Sequence, residues 1–369
     1  MNELAKIESF ENSLAVAETF EEIKLLNNTT EAYLQFAKKQ KAGDDSINKI
    51  GEFLEKVISK KGKWLDKYFP HGVRADRRAT KNVALKMPVS FNESAQARLL
   101  AETPDKVKAK IIQELKESGE YVLPKAIVKK LKQKENAKNL EKRKQENIEI
   151  LAEEVKDNKP IVYKSDCIDY LNTLKDNSID LLITDPPYST DIKNIESFAE
   201  SWVTVALTKI KKTGRAFICI GAYPKEIHAY LSVLLNQSKF IVDNPLIWTY
   251  KNTLGVTPKM KYNLNYQMIL HLFSEDSDKL DTAITGEMFS VMDINAPDGR
   301  QGDRFHTWQK PDELGLRLIK HTTKENDLVV DCFAGSGSFL LMAAKMNRKA
   351  QGCDLDTIAK KRGCTIIGE

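Results

Sequence analysis

The spacing of apolar side chains changes near residue 158. Before it they recur every three or four positions, as in Leu14, Ala17, Phe20, Ile23 and Leu26, and again in Ile50, Phe53, Leu54, Val57 and Ile58. That is the period of a helix with one buried face. Lys61-Gly62-Lys63 and Phe69-Pro70-His71-Gly72 read as breakers between such helices. Ser90-Phe91-Asn92-Glu93-Ser94 opens another helix, and the pattern predicts helices over 94–102, 104–118 and 123–131. A stretch rich in Lys, Glu and Gln predicts a further helix over 136–155 that joins the two halves. Residues 1–158 are thus expected to form an all-α region.

Beyond that point short apolar runs alternate with helical patterns. Strands are predicted at 160–163, 179–184, 215–220, 247–250, 267–273, 328–331 and 350–354. Helices are predicted at 167–174, 198–211, 225–235, 312–321 and 337–346, with a short last helix beginning near Asp356. The unbroken apolar run over 179–184 suits a parallel strand buried on both faces. Repeated strand–helix alternation predicts an α/β domain over 159–369, built on a doubly wound, Rossmann-like sheet. Ligands of such sheets sit at the carboxyl ends of the strands.

Composition changes this picture little, because a net charge of +5 over 369 residues is mild. Its distribution says more. Residues 121–144 and 60–86 each carry nine Lys/Arg against two acids, whereas residues 1–31 are acidic. Such windows are either solvated helix faces or surfaces for a phosphate backbone. The five cysteines, Cys167, Cys219, Cys332, Cys353 and Cys364, include no Cys-x-x-Cys pair and have no histidine at metal-ligand spacing, so no metal is expected. The amino terminus lacks the pattern of a signal peptide, and no stretch reaches 18 apolar residues. A cytoplasmic protein without a membrane partner is the expectation.

Two segments carry candidate chemistry. Leu328-Val329-Val330-Asp331-Cys332-Phe333-Ala334-Gly335-Ser336-Gly337-Ser338 runs from a strand through a glycine turn into a helix, and Asp354 stands at the tip of the next strand. Glycines let a ligand approach the backbone, and an acid in that place can take two ribose hydroxyls. The segment is either a structural turn or a nucleoside-cofactor site. Position 340 is Leu, so the three-glycine dinucleotide fingerprint is incomplete, and no Gly-Lys-Ser/Thr phosphate loop occurs. A ligand with a ribose but no pyrophosphate fits best.

The second segment places Asp185-Pro186-Pro187-Tyr188 at the end of the buried strand. Consecutive prolines fix φ twice and remove two N–H donors, while Asp185 is biased towards an extended conformation. A carboxylate and a carbonyl held stiffly together suit the two hydrogens of an amino group, and an aromatic ring beside them can stack on a base. The alternative is a Pro-Pro turn that caps a strand.

Together these residues resemble the DNA amino-methyltransferases, whose catalytic motif is Asp/Asn/Ser-Pro-Pro-Tyr/Phe and whose cofactor motif is Asp-x-Phe-x-Gly-x-Gly. The catalytic motif precedes the cofactor motif here, which resembles the permuted β class. The resemblance covers roughly 160–369. It implies S-adenosylmethionine as cofactor and Asp185, Pro186, Pro187 and Tyr188 as the catalytic loop. It further implies that Asp331, Phe333, Ala334, Gly335, Gly337 and Ser338 form the cofactor turn and that Asp354 takes the ribose. Asp166 and Cys167 fall where the family binds the cofactor's adenine, and Lys310 and Pro311 where it contacts the methionine part. Ile247-Trp248 with Lys251-Asn252 resembles the strand and loop that help hold the flipped base. Cys332 replaces a common Pro and Ser338 a common Thr.

Asp in the first motif position implies adenine N6 as the acceptor. N4-cytosine, an RNA base and a vestigial DNA-binding protein are the alternatives. The segment between Phe273 and Phe305 is small for a separate target-recognition domain. The amino-terminal helices resemble DNA-binding segments of phage and mobile-element proteins, with a helix-turn-helix expected within 94–131. Double-stranded DNA is therefore the expected partner of residues 1–158, with a scaffold or homodimer module as the alternative.

Overall fold

The computed structural model describes residues 3–69, 87–155, 158–252, 260, 262–282, 285–298, 304 and 308–368. The chain divides into two compact units, Met1–Lys138 and Asn139–Glu369.

The first unit is helical: α1 (Glu3–Val16), α2 (Phe20–Lys39), α3 (Asp44–Tyr68), α4 (Phe91–Glu102), α5 (Asp105–Glu117) and the start of α6 (Pro124–Ala152). Thr19 and Glu22 form a reciprocal capping box that fixes the start of α2. Ser90 caps α4 by accepting from the Glu93 N–H at 3.3 Å. Ile23, Leu26, Phe53 and Val57 close one core, and Leu100, Ile111, Leu115, Val122 and Ile127 another.

Lys61-Gly62-Lys63 does not break the chain, because α3 runs through it. Gly62 is instead a contact surface: a Cβ there would lie 2.1 Å from the Ala97 carbonyl of α4. The helix keeps a glycine in its interior because two backbones touch there. Lys61 is likewise no solvated charge, being buried and paired with Glu93 at 2.7 Å. The second expected breaker lies outside the described residues from Pro70 on.

Two expected helices, over 123–131 and 136–155, form the single helix α6. Its last turns belong to the second unit, since Ile150, Leu151 and the following Val155 pack against a core of that unit. The unit boundary therefore falls at Lys138/Asn139, inside a helix, whereas the change of sequence texture falls near 158.

Among the described residues the second unit holds ten strands in one sheet. In chain order these are β1 (Ile161–Lys164), β2 (Ile179–Thr184), β3 (Ile210–Ile220), β4 (Ile241–Val242), β5 (Leu246–Thr249), β6 (Tyr266–Phe273), β7 (Val291–Asp293), β8 (Leu328–Asp331), β9 (Lys349–Asp354) and β10 (Thr365–Ile367). They are flanked by helices α7 (Cys167–Thr173), α8 (Ile195–Lys209), α9 (Pro224–Leu235), α10 (Asp312–Thr322) and α11 (Ser338–Lys345). The order is β10-β1-β9-β8-β2-β3-β6-β5-β7, with β4 pairing to β6. Pairing is parallel from β10 to β3, and β6 runs antiparallel to β3, β4 and β5.

Both faces of the parallel part are covered, as the unbroken apolar strands require. Leu181 and Ile183 enter the core under α10 and α11, while Leu182 between them enters the core under α7, α8 and α9. The architecture is the expected doubly wound α/β sheet. The expected helix after Asp356 is instead a 3-10 turn, Ile358–Arg362, ended by Gly363 at φ +93°, and then edge strand β10 beside β1. Among the described residues no helix is long and apolar enough to cross a membrane.

This topology places the site. From β8 the chain crosses through α11 to β9 on one side, and from β2 through α8 to β3 on the other. Connections that diverge from two adjacent parallel strands leave a crevice at their carboxyl ends. The two segments singled out in the sequence are the loops that leave β8 and β2.

Candidate functional site

A cavity of about 490 Å³ opens at this crevice. Thirteen of the fifteen expected site residues line it: Asp166, Cys167, Asp185, Pro186, Pro187, Tyr188, Lys310, Asp331, Phe333, Ala334, Gly335, Ser338 and Asp354. Pro311 and Gly337 do not. Pro311 is the N-cap of α10. Gly337 adopts φ +76° as the N-cap of α11, and a Cβ on it would lie 2.7 Å from the Cys364 sulfur. Both therefore set backbone geometry beneath the wall.

The glycine turn is held by the acid opposite it. Asp354 accepts from the Gly335 N–H at 2.7 Å and from the Asp356 N–H at 2.8 Å. Gly335 itself takes φ +50°, and no atom lies within 4 Å of where its Cβ would be. That open space is what a ligand lying against the backbone needs. Asp166 caps α7 by accepting from the Ile168 N–H at 2.8 Å. Beside the turn, Asp331 is buried and accepts from the Thr184 hydroxyl at 2.6 Å and the Phe333 N–H at 3.1 Å. Burial outweighs these two donors and pushes its carboxyl up to about 7. Burial also pushes the Cys167 thiol up to about 12, so this lining cysteine is an inert apolar group.

The catalytic-loop candidate is organised by two side chains from elsewhere, Lys310 and Gln267. Lys310 donates to Asp185 Oδ2, to the Tyr188 hydroxyl at 3.1 Å and to the Trp308 carbonyl at 3.3 Å. The Tyr188 hydroxyl donates to Asp185 Oδ1 at 2.8 Å and accepts from Gln267 Nε2 on β6. Burial first, and then the Asp185 charge, hold the Tyr188 phenol far above its ordinary range, so it stays a donor. Each Asp185 oxygen keeps a further lone-pair direction. The carboxylate is thus fixed in orientation and can still accept.

Some expectations change at this point. Tyr188 is buried, its ring edge-on to Trp308 at 6.0 Å, so the exposed aromatic at the mouth is Trp308. Lys310, expected at the methionine end of a cofactor, lines the cavity and also touches the catalytic-loop carboxylate. Trp248, Lys251 and Asn252 do not line the cavity. Trp248 donates to the Ile294 carbonyl at 2.7 Å, Lys251 pairs with Asp293, and Asn252 bonds both ways with Ala296. No local pattern marks Gln267, a polar residue in the mainly apolar β6, or the lining residues Phe198, Phe339 and Ile358.

The lining contains six carboxyl groups, Asp166, Asp185, Asp191, Asp331, Asp354 and Asp356, of which burial holds Asp331 partly neutral, against the single ammonium of Lys310 among the described residues. A wall of this charge repels phosphates and suits a cationic ligand. With the glycine turn, the ribose-type acid and apolar plates such as Phe333 and Phe339, the residues present fit a positively charged nucleoside. The class follows: an α/β protein with a nucleoside-type pocket at the switch point of its sheet.

Residues 179–361 match the model of the DNA methylase family. The chain is 24% identical over 266 residues to the type II methyltransferase M.HinfI of Haemophilus influenzae, an alignment covering 58% of this chain and 70% of the relative. It is 25% identical over 221 residues to the type II methyltransferase M.HpaI of Haemophilus parainfluenzae, covering 52% and 69%. Among solved structures it is similar to the cytosine-N4-specific PvuII DNA methyltransferase, with a TM-score of 0.45, 19% identity, and coverage of 54% of this chain and 86% of that one.

Proposed function

We propose that this protein is a DNA methyltransferase that transfers a methyl group from S-adenosylmethionine to the N6 amine of an adenine flipped out of duplex DNA. The observation that carries this reading is the position of Asp185-Pro186-Pro187-Tyr188 on the wall of the acidic cavity that also holds the glycine turn and Asp354.

Adenine N6 is a poor nucleophile because its lone pair is conjugated into the ring. Asp185 and the Pro186 carbonyl accept its two hydrogens, which favours a pyramidal nitrogen with its lone pair free to attack. Preorganised acceptors of this kind contribute about 3 kcal/mol each to the transition state. Lys310, Tyr188 and Gln267 hold the carboxylate in place, so little reorganisation is needed at the moment of reaction. When bound, the cofactor supplies an electrophilic methyl on a sulfonium. Asp354 would take its ribose hydroxyls, Asp166 its adenine amine, and Phe333 would pack against it. The acceptor base must leave the helix stack, since its amine is otherwise paired, and Trp308 at the mouth offers it a ring. Asp as the first residue of the loop supports adenine over cytosine.

The test uses labelled cofactor with matched duplex DNA and RNA as methyl acceptors, followed by nucleoside analysis. N6-methyladenine in DNA is the expected product. N4-methylcytosine alone would overturn the adenine assignment, and label in RNA alone the DNA assignment.

The amino-terminal unit supplies the grip on DNA in this reading. Lys125, Lys129 and Lys132 lie along one exposed stripe of α6, while Ile127 and Val128 face the core. Each lysine that neutralises a phosphate adds about 0.9 to the slope of log affinity against log salt. Replacing all three by glutamine is expected to lower that slope by about 3. An unchanged slope would leave the unit a scaffold or dimerisation module.

A further inference from the structure

We propose that Glu226 is a positioning residue for the catalytic loop: its buried carboxylate anchors the Ser189 N–H at the end of Asp185–Tyr188 to the carboxyl end of β3. The inference rests on the methyl-transfer reading above.

The need for such an anchor comes from the loop's own sequence. Pro186 and Pro187 have no N–H, so between Asp185 and Ser189 only Tyr188 offers a backbone donor. The start of the loop is held by β2, through pairing with β3 and through the Thr184 hydroxyl on Asp331. Its far end needs an acceptor from another element.

Glu226 meets that need. It sits in the first turn of α9, behind Pro224, where an acid ordinarily reaches back to the helix's own N-cap. The N-cap here, Tyr223, makes no side-chain bond. Glu226 reaches further: Oε1 accepts from the Gly221 N–H at 2.5 Å and Oε2 from the Ser189 N–H at 2.8 Å. It is 0% exposed, and burial raises its carboxyl above the usual range, with the nearby Asp185 charge adding to that. A buried acid of this kind is costly to keep unless both oxygens are used, and both are. Gly221 is part of the device, since a Cβ there would lie 2.7 Å from the Tyr223 ring and 3.1 Å from Glu226 Oε2. One side chain thus ties together the end of β3, the start of α9 and the end of the catalytic loop.

Glu226→Gln keeps the size but turns one acceptor into a donor facing an N–H. The loop then loses an anchor, and Asp185 shifts relative to the acceptor amine. Displacements of about 1 Å in reacting groups cost on the order of 100-fold. The single-turnover rate of methyl transfer, at saturating cofactor and DNA and per folded molecule, is expected to fall about 10- to 100-fold. Cofactor Kd is expected to stay within about twofold, because the glycine turn and Asp354 are untouched. Gly221→Ala displaces the same carboxylate without changing charge and should give the same split with a smaller fall, so it carries the test should Glu226→Gln not fold. A lowered Tm with wild-type single-turnover rates in the folded variants would make Glu226 merely structural and overturn the proposal. Absence of transfer by the unsubstituted enzyme would instead count against the functional reading.

Discussion

Asp185→Ala is expected to lower methyl transfer about 100- to 1000-fold at saturating cofactor and DNA, while cofactor Kd stays within about twofold. The size follows from losing one preorganised acceptor at the reacting nitrogen. The selectivity follows from geometry, because Asp185 leaves the loop of β2 whereas the glycine turn and Asp354 leave β8 and β9. A second consequence is structural. The substitution strands the Lys310 ammonium, which is 5% exposed and otherwise paired with Asp185. Removing one partner of a buried pair costs roughly 3–5 kcal/mol, and less where solvent enters, as it does through this cavity. Asp185→Ala should therefore lower Tm, and adding Lys310→Met should restore Tm without restoring transfer. Thermal unfolding beside single-turnover assays separates the two effects. Recovery of activity in the double variant would show that Asp185 serves only to neutralise Lys310.

Asp331→Asn is expected to stabilise the free protein above neutral pH. The folded carboxyl sits near 7 against an ordinary 3.8, because burial penalises its charged form. Below pH 4 both states are protonated and the shift has no effect. Between about 4 and 7 the unfolded chain releases a proton that the folded chain keeps, so stability falls by about 1.4 kcal/mol per pH unit. Above 7 the full cost remains, about 4 kcal/mol. Asparagine still accepts from the Thr184 hydroxyl and the Phe333 N–H without that cost. Denaturant unfolding of both proteins at pH 5, 6, 7 and 8 should show the variant's advantage growing with pH and levelling off above 7. A constant difference would contradict the assignment. The wild-type strain has a functional sense, since a cationic ligand in the acidic cavity stabilises the ionised Asp331.

Much of this site was legible because its parts are local. A fully apolar strand ending in Asp-Pro-Pro-Tyr, and a strand–glycine–helix turn with an acid on the next strand, each announce their geometry within a few residues. Parallel β2 and β8 then have to lie side by side for the two to meet, and they do. Other features depend on partners far along the chain. Gly62 looked like a breaker because its contact is the Ala97 carbonyl, 35 residues on. Strands β4, β7 and β10 have two or three residues each, too few for an alternating pattern, and exist through pairing with β6, β5 and β1. Gln267 and Glu226 carry no local signal because their partners, Tyr188 and Ser189, lie 79 and 37 residues away, and only the position of Glu226 in the first turn behind Pro224 hints at a helix-start acid. Lys310 was noticed, but its partner Asp185 stands 125 residues away.

The most direct test of the account is nucleoside mass spectrometry of DNA from a host lacking its own methylases and expressing this chain or its Asp185→Ala variant. The account predicts N6-methyladenine with the unsubstituted chain and background levels with the variant. N4-methylcytosine as the only product, or no methylated base despite folded, cofactor-binding protein, would contradict it.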